Sequence, residues 1–255
     1  MRKPFVAGNW KMNLSKAEGV ALASGLAAKA SQFGNAEVGV IPAFVHIDAV
    51  SAAVKGSPIG VGAQDAYFEK NGAYTGEVST AMLTDIGVKY VLVGHSERRH
   101  ILGETDAICN KKVHAVINAG LVCILCVGEQ LEERKANETF NVCRTQLVED
   151  LKGLDKSKAS QLVIAYEPVW AIGTGLTATK EQAQEVHAYI RGELAKIFDQ
   201  ATADGIRIQY GGSVKASNAA ELMSQPDVDG ALVGGAALKV DEFMGIITAA
   251  AAAKK

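Results

Sequence analysis

Short apolar runs recur along the chain at Phe5–Gly8, Val38–Ile41, Ile59–Ala63, Tyr90–Val93, Leu121–Val127, Leu162–Tyr166, Ile206–Gln209 and Gly230–Val233. They are mostly continuous rather than alternating, which is how strands covered on both faces of a parallel sheet read. Between them, apolar positions recur at helical spacing among good helix formers, as over Ser15–Ala30, Asp106–Ala119, Glu129–Leu151, Lys180–Phe198 and Ser217–Met223. Strand then helix, repeated with short connections, predicts right-handed crossovers and a parallel sheet. Eight units favour closure, so the expected fold is an eight-stranded parallel β/α barrel, a single domain over residues 1–255. No Pro-, Ser- or Gly-rich linker divides it. The Ala249–Lys255 tract is helix-prone and is expected to fray as a solvated end.

Composition narrows the partners. A formal net charge of −2 leaves no basic footprint for nucleic acid or an anionic membrane, so an anionic ligand must be attracted by a local site. The first residues lack the apolar run of a secretory leader, and no window approaches the roughly 18 apolar residues of a membrane span. The expected location is the cytoplasm. Four cysteines, Cys109, Cys123, Cys126 and Cys143, are too sparse for a disulfide framework. Cys123 and Cys126 form a C-x-x-C pair inside an apolar strand, where residues three apart face opposite ways, so core packing is expected rather than zinc or redox chemistry.

Polar residues cluster at one end of the strands. Asn9, Lys11, Gln64, His95, Glu129, Glu167, Gly211–Ser213 and Gly234–Gly235 all fall at or just beyond strand carboxyl ends, the face on which barrel loops build active sites. Glu167 sits between an apolar strand and Pro168, where burial raises carboxylate basicity and suits a general base. His95 precedes a helix start at Ser96, whose partial positive charge disfavours imidazole protonation and leaves a neutral hydrogen-bond donor. Lys11 can stabilise a developing oxyanion or a phosphate. Taken alone, Glu167, His95 and Lys11 each fit an ordinary surface or loop role better than a catalytic one; it is their company that points to chemistry.

Glycine pairs follow the last two strands, in Tyr210–Gly211–Gly212–Ser213 and Val233–Gly234–Gly235–Ala236, where backbone N–H groups can approach an anion closely. Two consecutive late units of this kind match the recurring phosphate site of β/α barrels. The segment Pro168–Ala178 is stiff at its start and glycine-rich at its tip, the makeup of a lid. Its Gly173-x-Gly175-x-x-Ala178 spacing also satisfies a dinucleotide fingerprint, but loop residues and a proline separate it from the strand that this fingerprint requires. No nicotinamide or other cofactor, and no metal, is expected.

The motifs Gly8–Asn9–Trp10–Lys11–Met12–Asn13, Gly94–His95–Ser96–Glu97–Arg98–Arg99, Ala165 through Gly175 and Tyr210–Gly211–Gly212–Ser213, in this order, resemble the triosephosphate isomerase family from end to end. The resemblance implies interconversion of dihydroxyacetone phosphate and glyceraldehyde 3-phosphate, a step of glycolysis and gluconeogenesis, through an enediol or enediolate. It assigns the carbon proton to Glu167, carbonyl polarisation to neutral His95, and charge stabilisation to Lys11 and Asn9; this Glu base beside a neutral His is the family's known pattern. Phosphate contacts are implied at Gly173, Ser213, Gly234 and Gly235, with Ser96, Glu97 and Cys126 in support. The long segment Asp65–Val78 implies a homodimer in which Thr75 nears the partner's active site.

Two positions depart from the family's usual pattern: Leu176 stands where many relatives carry lysine, and Ala237 where many carry serine. The missing hydroxyl is expected to weaken phosphate binding or the local network by about 0.5–1.5 kcal/mol. A different phosphosugar isomerase or an aldolase on the same barrel, or a non-catalytic phosphate-binding barrel, are the competing readings. An aldolase needs a Schiff-base lysine at a strand end.

Overall fold

All eight predicted strands form, as β1 Phe5–Asn9, β2 Glu37–Ile41, β3 Ile59–Ala63, β4 Tyr90–Val93, β5 Val122–Val127, β6 Leu162–Tyr166, β7 Arg207–Tyr210 and β8 Gly230–Val233. Their ends differ from the expected ones by at most a residue. In this computed structural model, which describes residues 2–173 and 175–254, every strand pairs in parallel with the next, and β1 pairs with both β2 and β8. The sheet is therefore a closed barrel in sequence order.

Around it lie α1 Lys16–Ala27, α2 Ile47–Ala53, α3 Thr80–Asp85, α4 Ser96–His100, α5 Asp106–Asn118, α6 Leu131–Lys135, α7 Thr139–Asp150, α8 Lys180–Ile197, α9 Gln200–Gly205, α10 Ala219–Met223 and α11 Val240–Ala253. The continuous helix expected over Glu129–Leu151 is two helices. Asn137 breaks it by adopting φ 59°, a left-handed conformation that asparagine tolerates better than most residues. The terminal tract also departs from expectation. Ala250 and Ala251 are buried, and Lys254 Nζ donates to the Gln225 carbonyl at 2.7 Å, so the chain docks through Lys254 instead of fraying. Met1, Thr174 and Lys255 lie outside the described residues.

Two apolar layers result. One lies between barrel and helices; the other fills the barrel with Phe5, Ala7, Ile41, Tyr90, Leu92, Ile124, Cys126, Val163, Ala165 and Leu232. Cys123 belongs to the outer layer and Cys126 to the inner one, so their thiols diverge as expected, and all four cysteines are free and buried. Gly60 makes room for the inward Tyr90: a Cβ there would fall 2.4 Å from the ring Cε2.

The amino-terminal end of the barrel is closed by charge. Glu37, the first residue of β2, accepts from Tyr90 OH at 2.6 Å and Lys89 Nζ at 2.8 Å, and also pairs with Arg207. Burial alone would raise its carboxyl, yet these donors hold it down at about 2. The other end of the barrel is left for chemistry. Among the described residues, no helix is long and apolar enough to cross a membrane.

His187 on α8 gives the packing a pH signature. Its ring is fully buried edge-on to Tyr166, and Nδ1–H donates to the Asp227 carbonyl at 3.1 Å. Burial pushes its pKa from 6.5 down to about 4. The unfolded chain therefore takes up a proton at higher pH than the folded one, so stability from this group is present above pH 6.5 and is lost as pH falls towards 4. Denaturant unfolding should show a loss of about 2 kcal/mol between pH 7 and pH 5. His187→Asn should flatten that slope, and an undiminished slope in the variant would assign it to other groups.

Candidate active site

β1 delivers Asn9 and then Lys11 in a conformation that most side chains avoid, φ 51°. Neighbours hold it there. Asn9 Oδ1 accepts the Lys11 N–H at 2.9 Å, and Gln64 Nε2, from the end of β3, donates to the Lys11 carbonyl at 2.7 Å. The ammonium so placed reaches Glu97 Oε1 at 2.6 Å. This ion pair engages the nitrogen that a Schiff-base reading would need as its nucleophile.

β4 ends at Val93, and His95 then caps α4, its Nδ1 accepting the Glu97 N–H at 3.3 Å. An Nδ1 that accepts leaves the proton of a neutral ring on Nε2. That nitrogen faces Glu167 Oε1 at 3.0 Å. The other Glu167 oxygen accepts the Ser96 N–H at 2.9 Å, with Ser96 Oγ at 3.5 Å from Oε1. Close approach of β5 to the glutamate backbone permits only glycine at 128, where a Cβ would fall 1.8 Å from the Glu167 carbonyl oxygen.

Charge in this pair runs opposite to the expectation from sequence. Burial of Glu167 raises its pKa, but His95, the Ser96 N–H and Lys11 outweigh that, and the carboxyl ends lowered. Burial of His95 lowers its pKa, but the adjacent Glu167 carboxylate outweighs that, and the imidazole ends raised. Each expected shift, a more basic glutamate and a less basic histidine, considered its residue alone; the two side chains touch, and each stabilises the other's charged form.

Asn9, Lys11, His95, Glu167, Gly173, Ser213, Gly234 and Gly235 line one cavity of about 640 Å3 at the carboxyl end of the barrel. Lys11 links its two halves, since a Cβ on Gly234 would lie 3.5 Å from Lys11 Cε. Ser96 and Cys126 lie behind Glu167, lining a crevice with no room for water, and Glu97 holds Lys11. Asn13, Ile172, Lys215, Lys239 and Glu242 also line the cavity and were not anticipated. Nothing in the sequence separates Lys215 or Lys239 from ordinary surface lysines.

Glu129 has a definite task. Fully buried, it accepts from Tyr166 OH at 3.0 Å and from Trp170 Nε1 at 2.8 Å, while its carbonyl accepts the Val169 N–H at 3.0 Å. These bonds anchor the start of the 168–178 segment. Towards its tip, Gly173 and Gly175 adopt φ 70° and 83°; Thr174 between them lies outside the described residues. A helical turn over Val169–Ala171 separates Gly173 from β6, so the dinucleotide fingerprint lacks its strand. Among the described residues, no group of three or more His, Cys, Asp or Glu side chains is arranged to hold a metal ion.

Comparison with known proteins agrees over nearly the full length. A triosephosphate isomerase family model matches residues 4–250. The chain is 54% identical over 252 residues to the triosephosphate isomerase of Rhodopirellula baltica, covering 99% of each chain. It is 52% identical over 247 residues to that of Carboxydothermus hydrogenoformans and 51% identical over 247 residues to that of Syntrophotalea carbinolica, covering in both cases 97% of this chain and 98% of the relative.

The unusual Ala237 lies beside an unmet donor. Trp10 Nε1 is buried without a hydrogen-bond partner among the described residues. A Cβ on Gly8 would stand 2.9 Å from Ala237 Cβ and 3.5 Å from that nitrogen, so the two border the same spot. Ala237→Ser should supply an acceptor and raise unfolding free energy by about 0.5–1.5 kcal/mol, with a lower substrate KM if the neighbouring glycine loop firms. Unchanged stability and KM would contradict this.

Proposed function

This chain belongs to the triosephosphate isomerase family, interconverting dihydroxyacetone phosphate and glyceraldehyde 3-phosphate, and on that premise we propose which of its residues do the work and that residues 1–255 act as one domain. The observation that carries the assignment is the meeting, in one cavity, of a buried carboxylate, an imidazole 3.0 Å from it and an ammonium, opposite glycine-rich loops.

Substrate phosphate is bound by backbone N–H groups at Gly173, Gly234 and Gly235 and by Ser213, which fixes the three-carbon chain with its carbonyl towards His95 and Lys11. The resting bonds of Glu167 to Ser96 and His95 occupy the groups that the reaction needs, so the carboxylate turns from them towards substrate carbon. Its pKa then rises, because burial stays while the compensating donors are left behind, and His95 loses the charge that favoured its protonation. Both changes suit the chemistry.

Glu167 takes a proton from C1 of the ketone as the C–H electron pair forms the C1–C2 double bond and the carbonyl pair moves onto oxygen. His95 Nε2–H donates to that oxygen, and the Lys11 ammonium and Asn9 amide stabilise its negative charge. His95 Nε2 gives its proton to O2 and takes the one on the O1 hydroxyl, and Glu167 delivers a proton, retained from C1 or exchanged with solvent, to C2 as the second carbonyl forms at C1. Closure of the 168–178 segment excludes water and protects the enediolate phosphate from elimination.

The finer partner reading is a homodimer. Large apolar side chains at Met12, Val45, Met82, Ile101 and Leu102 are 95%, 82%, 55%, 76% and 63% exposed, on segments that follow the first four strands. Because those four strands adjoin one another in the barrel, the exposed side chains are suited to burial against a second copy of the chain. Thr75 and its exposed neighbours project from the 65–78 segment, whose base is pinned by Asp65 on Lys112 at 2.6 Å, and we assign their tip to the partner's active-site rim. The four free, buried thiols suit a cytoplasmic setting.

Glu167→Gln should lower kcat by more than about 10²-fold in a coupled isomerase assay, and near-normal turnover would remove the base from its role. His95→Gln should slow turnover while phosphoglycolate, which reports the phosphate loops, still binds; a large loss of its affinity would contradict the division of labour. Ile101→Asp, harmless on a monomer's surface, should shift sedimentation towards a monomer. A single unshifted species would count against the dimer.

A further inference from the structure

Arg99 takes no part in the chemistry above, yet its guanidinium is buried directly behind it. The side chain, 7% exposed, donates from Nε to the Gly94 carbonyl at 2.8 Å and from Nη2 to the Cys126 carbonyl at 3.2 Å. It also donates from Nη1 to Asp106 Oδ1 at 2.6 Å and from Nη2 to Asp150 Oδ2 at 2.5 Å. Four elements thus converge on one fork: the end of β4, the inner strand β5, the start of α5 and the end of α7. A planar donor group of fixed geometry can hold all four; an ammonium cannot.

Arg99 itself lies on α4, five residues long and too short to persist by its own hydrogen bonds. The first residues of that helix present His95 Nε2 and the Ser96 N–H to Glu167. Gly94 joins the helix to β4 with φ 66°, and a Cβ there would lie 2.6 Å from Arg99 Nη2, so the guanidinium packs against this joint. Arg99 and Glu167 line the same dry crevice with Ser96 and Cys126. Movement of the fork would move the helix, and with it both groups that hold the glutamate.

We propose that Arg99, oriented by Asp150 and Asp106, is a positioning residue that fixes the His95–Ser96 turn against the barrel and so sets the seat of Glu167. This rests on the roles given to His95 and Glu167 for its kinetic consequence, but not for its geometric one.

The test therefore reads both. Arg99→Lys keeps the charge and loses the fork; kcat per folded molecule should fall by about tenfold to a hundredfold, the scale of an ångström-level misplacement, while KM stays within about threefold because the phosphate loops lie across the barrel. Without substrate, the His95 imidazole nitrogen resonances should shift or broaden relative to the parent. Asp150→Asn, which preserves shape but weakens the grip on the guanidinium, should show the same pattern more mildly and serves if the lysine variant does not fold. Unmoved His95 resonances would overturn the proposal, whether or not turnover slows, because the loss would then come from elsewhere. Shifted resonances with undiminished kcat would uphold the geometry and instead fault the catalytic roles.

Discussion

The contact between Glu167 and the first turn of α4 is the constraint around which the open end of the barrel is organised. One carboxylate accepts a backbone N–H from Ser96 and faces the imidazole of His95. The contact requires a helix start aimed into the barrel, a strand end that brings the glutamate opposite, and neighbours small enough to admit it. Gly128 and Gly211 meet the last need, since a Cβ at 211 would lie 2.8 Å from Glu167 Cγ. The pairing stabilises a charged carboxylate where burial alone would favour the neutral acid.

The barrel separates this sensitive arrangement from its source of rigidity. At the amino-terminal end, Glu37, Lys89, Tyr90 and Arg207 saturate one another, and the carboxyl involved is held strongly ionised. Aromatic and aliphatic side chains fill the middle. At the carboxyl end the polar groups are poised rather than saturated, and Lys11 is held in a costly backbone conformation by bonds from Asn9 and Gln64. Such local strain persists only where surrounding structure over-determines it.

Much of this was legible in the sequence because burial on both faces leaves a signal that few other structures share. Continuous runs such as Leu162–Tyr166, repeated eight times with helical stretches between them, fit layered α/β architecture, and the polar residue after each run then falls on a common face. What stayed hidden depends on contact rather than pattern. The break at Asn137 turns on one backbone angle, and the docked C-terminal helix on a distant carbonyl that accepts from Lys254. The shifts of Glu167 and His95 were misjudged because 71 residues separate Ser96 from the glutamate that it holds, and spacing carries no word of that pairing. Arg99 reads locally as one more charge on a short helix; only the meeting of four elements gives it a task.

Carbon-to-carbon transfer through an ionised glutamate is tested most directly by following hydrogen during turnover. When dihydroxyacetone phosphate is converted in deuterated water and the product is trapped at once, a carboxylic acid that exchanges with solvent should leave deuterium at C2 of part of the glyceraldehyde 3-phosphate. Product carrying only protium at that carbon at every extent of reaction, with Glu167→Gln turning over undiminished, would indicate a hydride shift that needs no base and would contradict the account.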